Sequence, residues 1–151
     1  MSEQNFEKVL NEKGLFAFVP NGNSMWPTIK HGKHSVIIVK KTSRLNPLDV
    51  AFYKRENGNG YIMHRVIEVT ENGYLCLGDS TLNVENVLED RVIGVMQGYY
   101  KKDKFIEATN PKYLKKVKRW FKHKNLRKFR LKCFYFRLRI KSKLKRTFCK
   151  K

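Results

Sequence analysis

The sequence predicts a mainly β domain, opened by a short helix and followed by a basic extension that is itself helical in pattern. Three observations carry this expectation. Apolar residues between Leu15 and Tyr100 come in short β-rich runs divided by Gly, Pro and Asn. Ahead of them, Phe6, Val9 and Leu10 keep helical spacing. Behind them the charge changes character. Residues 1–110 hold 14 Lys/Arg against 13 Asp/Glu, whereas residues 111–151 hold 19 Lys/Arg and no acid, so almost all of the net charge of +20 lies in the tail. The expected organisation is a helix over 1–14, a β domain over 15–108 and a basic amphipathic extension over 109–151.

In chain order, a polar helix is expected over residues 2–13, ended by Gly14. Strands follow over 15–19, 35–40, 50–53, 61–69, 74–77 and 91–100, separated by Pro20-Asn21-Gly22, Asn46-Pro47, Asn57-Gly58-Asn59-Gly60 and Asn72-Gly73. The last two of these read as hairpin tips, making Val50–Leu77 an antiparallel meander with His64 mid-strand. Alternation within that strand sets His64 on one face with Ile62 and Val66. A lone histidine on such a face is usually a core residue. Glu89-Asp90 reads as a solvated turn.

In the tail, Leu126, Phe129, Cys133, Phe136, Ile140 and Leu144 recur every three or four residues, as on an amphipathic helix. Phe136-Arg-Leu-Arg-Ile-Lys also alternates with period two, which leaves a strand open over 126–148, and Asn125 is a candidate break between two helical pieces. The cations Lys115, Lys118, Arg119, Arg127 and Arg130, with Trp120, are candidates for contact with an anionic membrane surface or, less favoured, nucleic acid or an acidic partner or peptide precursor, against the plain alternative of a solvated basic extension. No RNA- or DNA-binding module accompanies them.

Cys76, Cys133 and Cys149 stand far apart and odd in number, which signals neither a disulfide framework nor a zinc site. His31 and His34 lack further ligands at metal-site spacing and are read as exposed. No metal or cofactor is implied. No stretch reaches the ~18 apolar residues of a membrane span, and Met-Ser-Glu-Gln-Asn-Phe lacks the features of an export signal. A cytoplasmic location, peripheral at the inner face of a membrane, is therefore expected.

Gly22-Asn-Ser-Met-Trp-Pro-Thr-Ile29 offers a hydroxyl nucleophile on a constrained bend. Gly22 permits positive φ, and Pro27 restricts itself and Trp26. A serine needs a base, and His64 in Ile-Met-His-Arg-Val is the best candidate. Alone, Ser24 reads as a turn hydroxyl.

The ordered blocks Gly22-x-Ser24-Met25-x-Pro27-Thr28, Asp49-Val50-x-Phe52, His64-Arg65-Val66-Ile67, Gly78-Asp79-Ser80 and Val92-Ile93-Gly94 together resemble the type I signal peptidase family. They are similar to its archaeal and endoplasmic-reticulum branch, in which histidine replaces the bacterial lysine as base. The resemblance covers residues 15–107 and implies a coiled, barrel-like antiparallel sheet. It also implies a serine endopeptidase acting on a leader or precursor peptide, with Ser24 as nucleophile and His64 as general base. The Ser24 N–H is the natural oxyanion donor, Asn23 a second, and Met25 a positioning neighbour. A carboxylate should orient the imidazole: Asp79 is ranked first and Glu85, where the branch more often has aspartate, close behind. Self-cleaving repressors share that fold, but they use a lysine base and cut Ala-Gly or Cys-Gly bonds, and neither dipeptide occurs here. The contrasting expectation is a non-catalytic binding or regulatory protein that uses the same scaffold and its basic tail. Oligomeric state is not legible.

Overall fold

The computed structural model describes residues 6–58 and 60–148, with side chains through residue 140. The chain forms two compact units, residues 1–114 and 115–151.

In the first unit, α1 (Phe6–Lys13) precedes strands β1 (Leu15–Phe18), β2 (His34–Lys40), β3 (Val50–Lys54), β4 (Tyr61–Thr70), β5 (Gly73–Leu77) and β6 (Val84–Leu88). A single 3-10 turn at Glu89–Arg91 then leads into β7 (Val92–Lys101) and β8 (Lys104–Glu107). The strands make one antiparallel sheet in the order β1-β2-β7-β3-β4-β5-β6, with β8 folded back on β7. Between β3, β4 and β5, antiparallel pairing follows from short connections. Glu71-Asn72 joins β4 to β5 around the Thr70↔Gly73 pair, and Arg55–Gly60 closes the β3–β4 hairpin, with Gly58 at φ 73°. The expected meander is present and extends one strand further, to β6.

The barrel-like closure implied by the family resemblance is not found. Closure requires tilted, staggered strands with ladder bonds between the two ends of a sheet. Here the end strands β1 and β6, four and five residues long, are not paired with each other. β6 and β8 were not expected as strands. Residues 1–5 of the predicted helix lie outside the described residues, as does Asn59 of the predicted turn.

Alternation along β3 divides the core. Phe52 turns to one face, where Phe6 of α1 stacks on Phe16 at 4.7 Å between centroids and meets Phe52 edge-on at 5.5 Å. Such aromatic pairs add about 0.5–1.5 kcal/mol each beyond area burial, which explains why so short a helix stays docked. Gly14 at φ 72° ends α1, its N–H bonding the Leu10 carbonyl at 3.0 Å. Tyr53 turns to the other face, into a cluster with Ala51, Val66, Tyr74, Cys76, Val87 and Val92.

α2 (Pro111–Lys122) starts as its sequence requires: Asn110 Oδ1 accepts from the N–H of Lys112 at 2.9 Å and of Tyr113 at 3.3 Å, with Pro111 in the first helical position. In the second unit, α3 (Lys124–Phe148) is one helix of 25 residues, so the period-two run at Phe136 is not a strand. The break falls at His123 and not at Asn125, which lies inside α3. No helix among the described residues is long and apolar enough to cross a membrane.

Candidate active site

Strand register brings three side chains together. His64 on β4 and Val66 share a face; Val66 pairs with Cys76 of β5, and Cys76 pairs with Glu85 of β6. Pairs keep side chains on the same side of a sheet, so Glu85 projects where His64 does. Tyr53 of β3 joins them: its hydroxyl donates to Glu85 Oε2 at 2.6 Å and lies 3.1 Å from His64 Nδ1, which is 3.3 Å from Glu85 Oε1.

This network assigns the tautomer. Tyr53 has one hydroxyl proton and a carboxylate only accepts, so the Tyr53 O–H is directed at Glu85 Oε2. The phenol oxygen and Glu85 Oε1 then both accept from Nδ1–H. Nε2 is left as the basic nitrogen.

Nε2 and the Ser24 segment both approach Gly78. A Cβ placed on Gly78 would stand 3.0 Å from His64 Nε2 and 2.8 Å from the Ser24 carbonyl oxygen, so both lie against the same bare backbone. Residues 24–28 form a tight turn, partly buried at Ser24, with Gly22 at φ 109° before it and a cis Trp26–Pro27 bond within it. The residues after β5 hold this turn. Ser80 donates its N–H to the Ser24 carbonyl at 2.8 Å and its hydroxyl to the Asn23 carbonyl at 2.6 Å. Met25 is buried, and its carbonyl accepts from the Ile29 N–H at 2.8 Å.

Asp79 serves the opposite side. Arg65, fully buried, meets it in a two-pronged pair, Nε to Oδ1 and Nη2 to Oδ2, both at 2.8 Å. The same guanidinium donates to the Leu48 carbonyl at 2.8 Å and to the Tyr113 hydroxyl at 3.0 Å. The Thr28 hydroxyl sits between the Met25 carbonyl, 2.9 Å away, and the Asp79 carboxylate, to which it also bonds. Asp79 thus ties the Ser24 turn to the strand that carries His64. Of the two carboxylates offered by the sequence, the one within reach of Nδ1 is Glu85, which reverses the expected ranking. Two desolvated charges this close are held by geometry: burial is the largest single influence on Arg65 and opposes its charge, but the charge and hydrogen bonds of Asp79 together with Tyr113 outweigh it, so Arg65 carries its proton more firmly.

Burial pushes the His64 imidazole below its ordinary 6.5; the Glu85 and then the Asp79 charge pull it back up, and Arg55 pushes it down. A ring kept neutral near pH 7 is suited to accept a proton. Cys76 sits in the same cluster, but burial and then the Glu85 charge raise its thiol to about 12, which keeps it protonated near neutral pH.

Tyr53, Arg65, Thr28, Gly78 and Ser80 were not assigned these roles by sequence reasoning. The signal for Tyr53 was its place on β3, across from the His64 strand. His34, expected exposed, is buried and stacked on Tyr99 at 5.0 Å. No cluster of His, Cys, Asp and Glu suited to a metal ion occurs among the described residues.

In the second unit and the end of α2, Lys115, Lys118, Arg119 and Arg130 are exposed and Trp120 is half-buried. Arg127 corrects the expectation made for it. It is buried, its guanidinium 4.9 Å over the Phe121 ring, and so is withdrawn from the cationic surface.

Comparison with models of known families gives no match, and comparison with curated proteins gives none either.

Proposed function

We propose that this chain is a serine endopeptidase of signal-peptidase type that cuts a leader or precursor peptide. The observation that carries the reading is the convergence at Gly78: the Ser24 turn and the basic nitrogen of His64 both lie against it, while Nδ1 on the far side of the ring is held by Tyr53 and Glu85.

In this reading Ser24 Oγ attacks the carbonyl carbon of the scissile amide and its proton passes to His64 Nε2. The Ser24 N–H and the Asn23 amide stabilise the oxyanion. Collapse of the tetrahedral intermediate breaks the C–N bond, and Nε2 returns the proton to the leaving amine. Water, deprotonated by the same nitrogen, then releases the acyl chain. Glu85 and Tyr53 orient the ring and offset its transient positive charge. Asp79 and Arg65 act at one remove, as positioning residues for the Ser24 turn.

The test is cleavage of internally quenched peptides carrying a small residue before the scissile bond, the preference implied by the family resemblance. Ser24→Ala is expected to abolish turnover and covalent labelling by a serine-directed probe while the urea midpoint stays unchanged. His64→Ala should lower kcat by about 10²–10⁴. Full turnover by the Ser24→Ala protein would overturn the reading.

A further inference from the structure

The second unit presents an apolar stripe to solvent. On α3, Leu126, Phe129, Phe136 and Ile140 are 47%, 63%, 64% and 42% exposed, and Cys133, at the centre of the same stripe, is exposed as well. Spacings of three and four residues set them on one side of the helix, over a length of about 21 Å at 1.5 Å per residue. Lys128, Arg130, Lys132, Arg137 and Arg139 are exposed on the same helix. Residues 111–151 contain 19 cations and no acid.

We propose that α3 lies flat on an anionic lipid surface, with this stripe sunk below the headgroups and the flanking cations on the phosphates. The combination selects the partner. A polyanion such as RNA neutralises the cations but leaves the Phe and Leu side chains in water. A neutral protein groove covers the stripe but leaves a dense cationic field uncompensated. A lipid surface that is apolar beneath and anionic above satisfies both halves of the helix along its whole exposed length. Arg127, turned away over Phe121, contributes nothing to this contact, whereas Phe129 and Phe136 are its anchors. The inference uses no residue of the first unit and stands independently of the peptidase reading.

The full chain is tested by co-flotation with vesicles of phosphatidylcholine alone and of phosphatidylcholine with about one-third phosphatidylglycerol. Binding to the anionic vesicles is expected to be roughly tenfold tighter or more. Phe129→Ser together with Phe136→Ser keeps every charge and is expected to weaken it by about tenfold. A second readout leaves the stripe intact: with Cys149→Ser, an environment-sensitive fluorophore on Cys133 should shift to the blue on anionic vesicles. The same fluorophore at Tyr135→Cys, in a Cys133→Ser, Cys149→Ser protein, should not, since that position is turned to the other side of the helix. Equal binding by the parent and the double-serine protein, equal shifts at the two positions, or binding to single-stranded RNA with none to vesicles would each overturn the proposal.

Discussion

His64 Nδ1 and Glu85 Oε1 lie 3.3 Å apart with β5 between their strands, so the contact depends on the pairing of three strands. Because Glu85 is the strongest influence raising the affinity of the buried ring for a proton, its removal has a defined direction. If His64 is the base, activity is lost as pH falls and the ring protonates, with a midpoint below 6.5 in the parent. Glu85→Gln should move this acid limb to lower pH. Arg55→Gln removes a charge that opposes protonation and should move it to higher pH. Profiles of kcat/KM against pH read both shifts, and a pair of variants that move the same way would refute the assignment.

The same ring couples folding to pH. Its affinity for protons is lower in the folded chain than in the unfolded one, so just below pH 6.5 the unfolded state binds more protons and stability rises with pH. The contribution is complete above 6.5 and declines as pH falls toward the folded value. Urea titrations from about pH 5 to about pH 7.5, a range that spans that window, should show a shallower dependence of stability on pH in His64→Asn than in the parent.

Removing one partner of the buried Arg65–Asp79 pair leaves an uncompensated charge in the core. Arg65→Met should cost about 3–5 kcal/mol, and adding Asp79→Asn should recover part of it. Arg65→Lys should not substitute, because an ammonium cannot bond both carboxylate oxygens, Leu48 and Tyr113 in the same plane. Equilibrium urea unfolding measures all three.

Gly78→Ala should hurt turnover more than stability. Its methyl would press on the Ser24 carbonyl and His64 Nε2, and overpacking of this kind costs about 1–3 kcal/mol. The expected result is a folded protein whose kcat drops by more than tenfold, on the order expected for a misplaced reacting group. Unchanged kcat would place the chemistry elsewhere.

Much of the β domain could be read from local pattern, because β2, β3, β4, β5 and β7 are apolar runs bounded by turn residues. β6 could not. In Val84-Glu-Asn-Val-Leu88 only Val87 is buried, since an end strand has little core to face, and its two polar residues hide the pattern. That omission also hid the parity of Glu85: without β6 paired to Cys76, nothing in the sequence tells which side of the sheet the carboxylate takes. β8 escaped because its hairpin turns at Lys102, with φ 55° and no glycine. Arg65 resembles a surface residue until Asp79 is brought beside it by the fold. In the tail, helical spacing prevailed over the period-two run at Phe136. A helix satisfies its backbone hydrogen bonds within its own segment, whereas a strand requires a partner.

The bare backbone at position 78 has a meaning for any chain built on this plan. A lineage can exchange aromatic for aliphatic groups of similar volume in the sheet and still fold. A side chain acquired at this one position must displace the turn, the ring or Thr81, so the residue found there reports whether a related sequence keeps the Ser24 turn and the His64 ring in this arrangement.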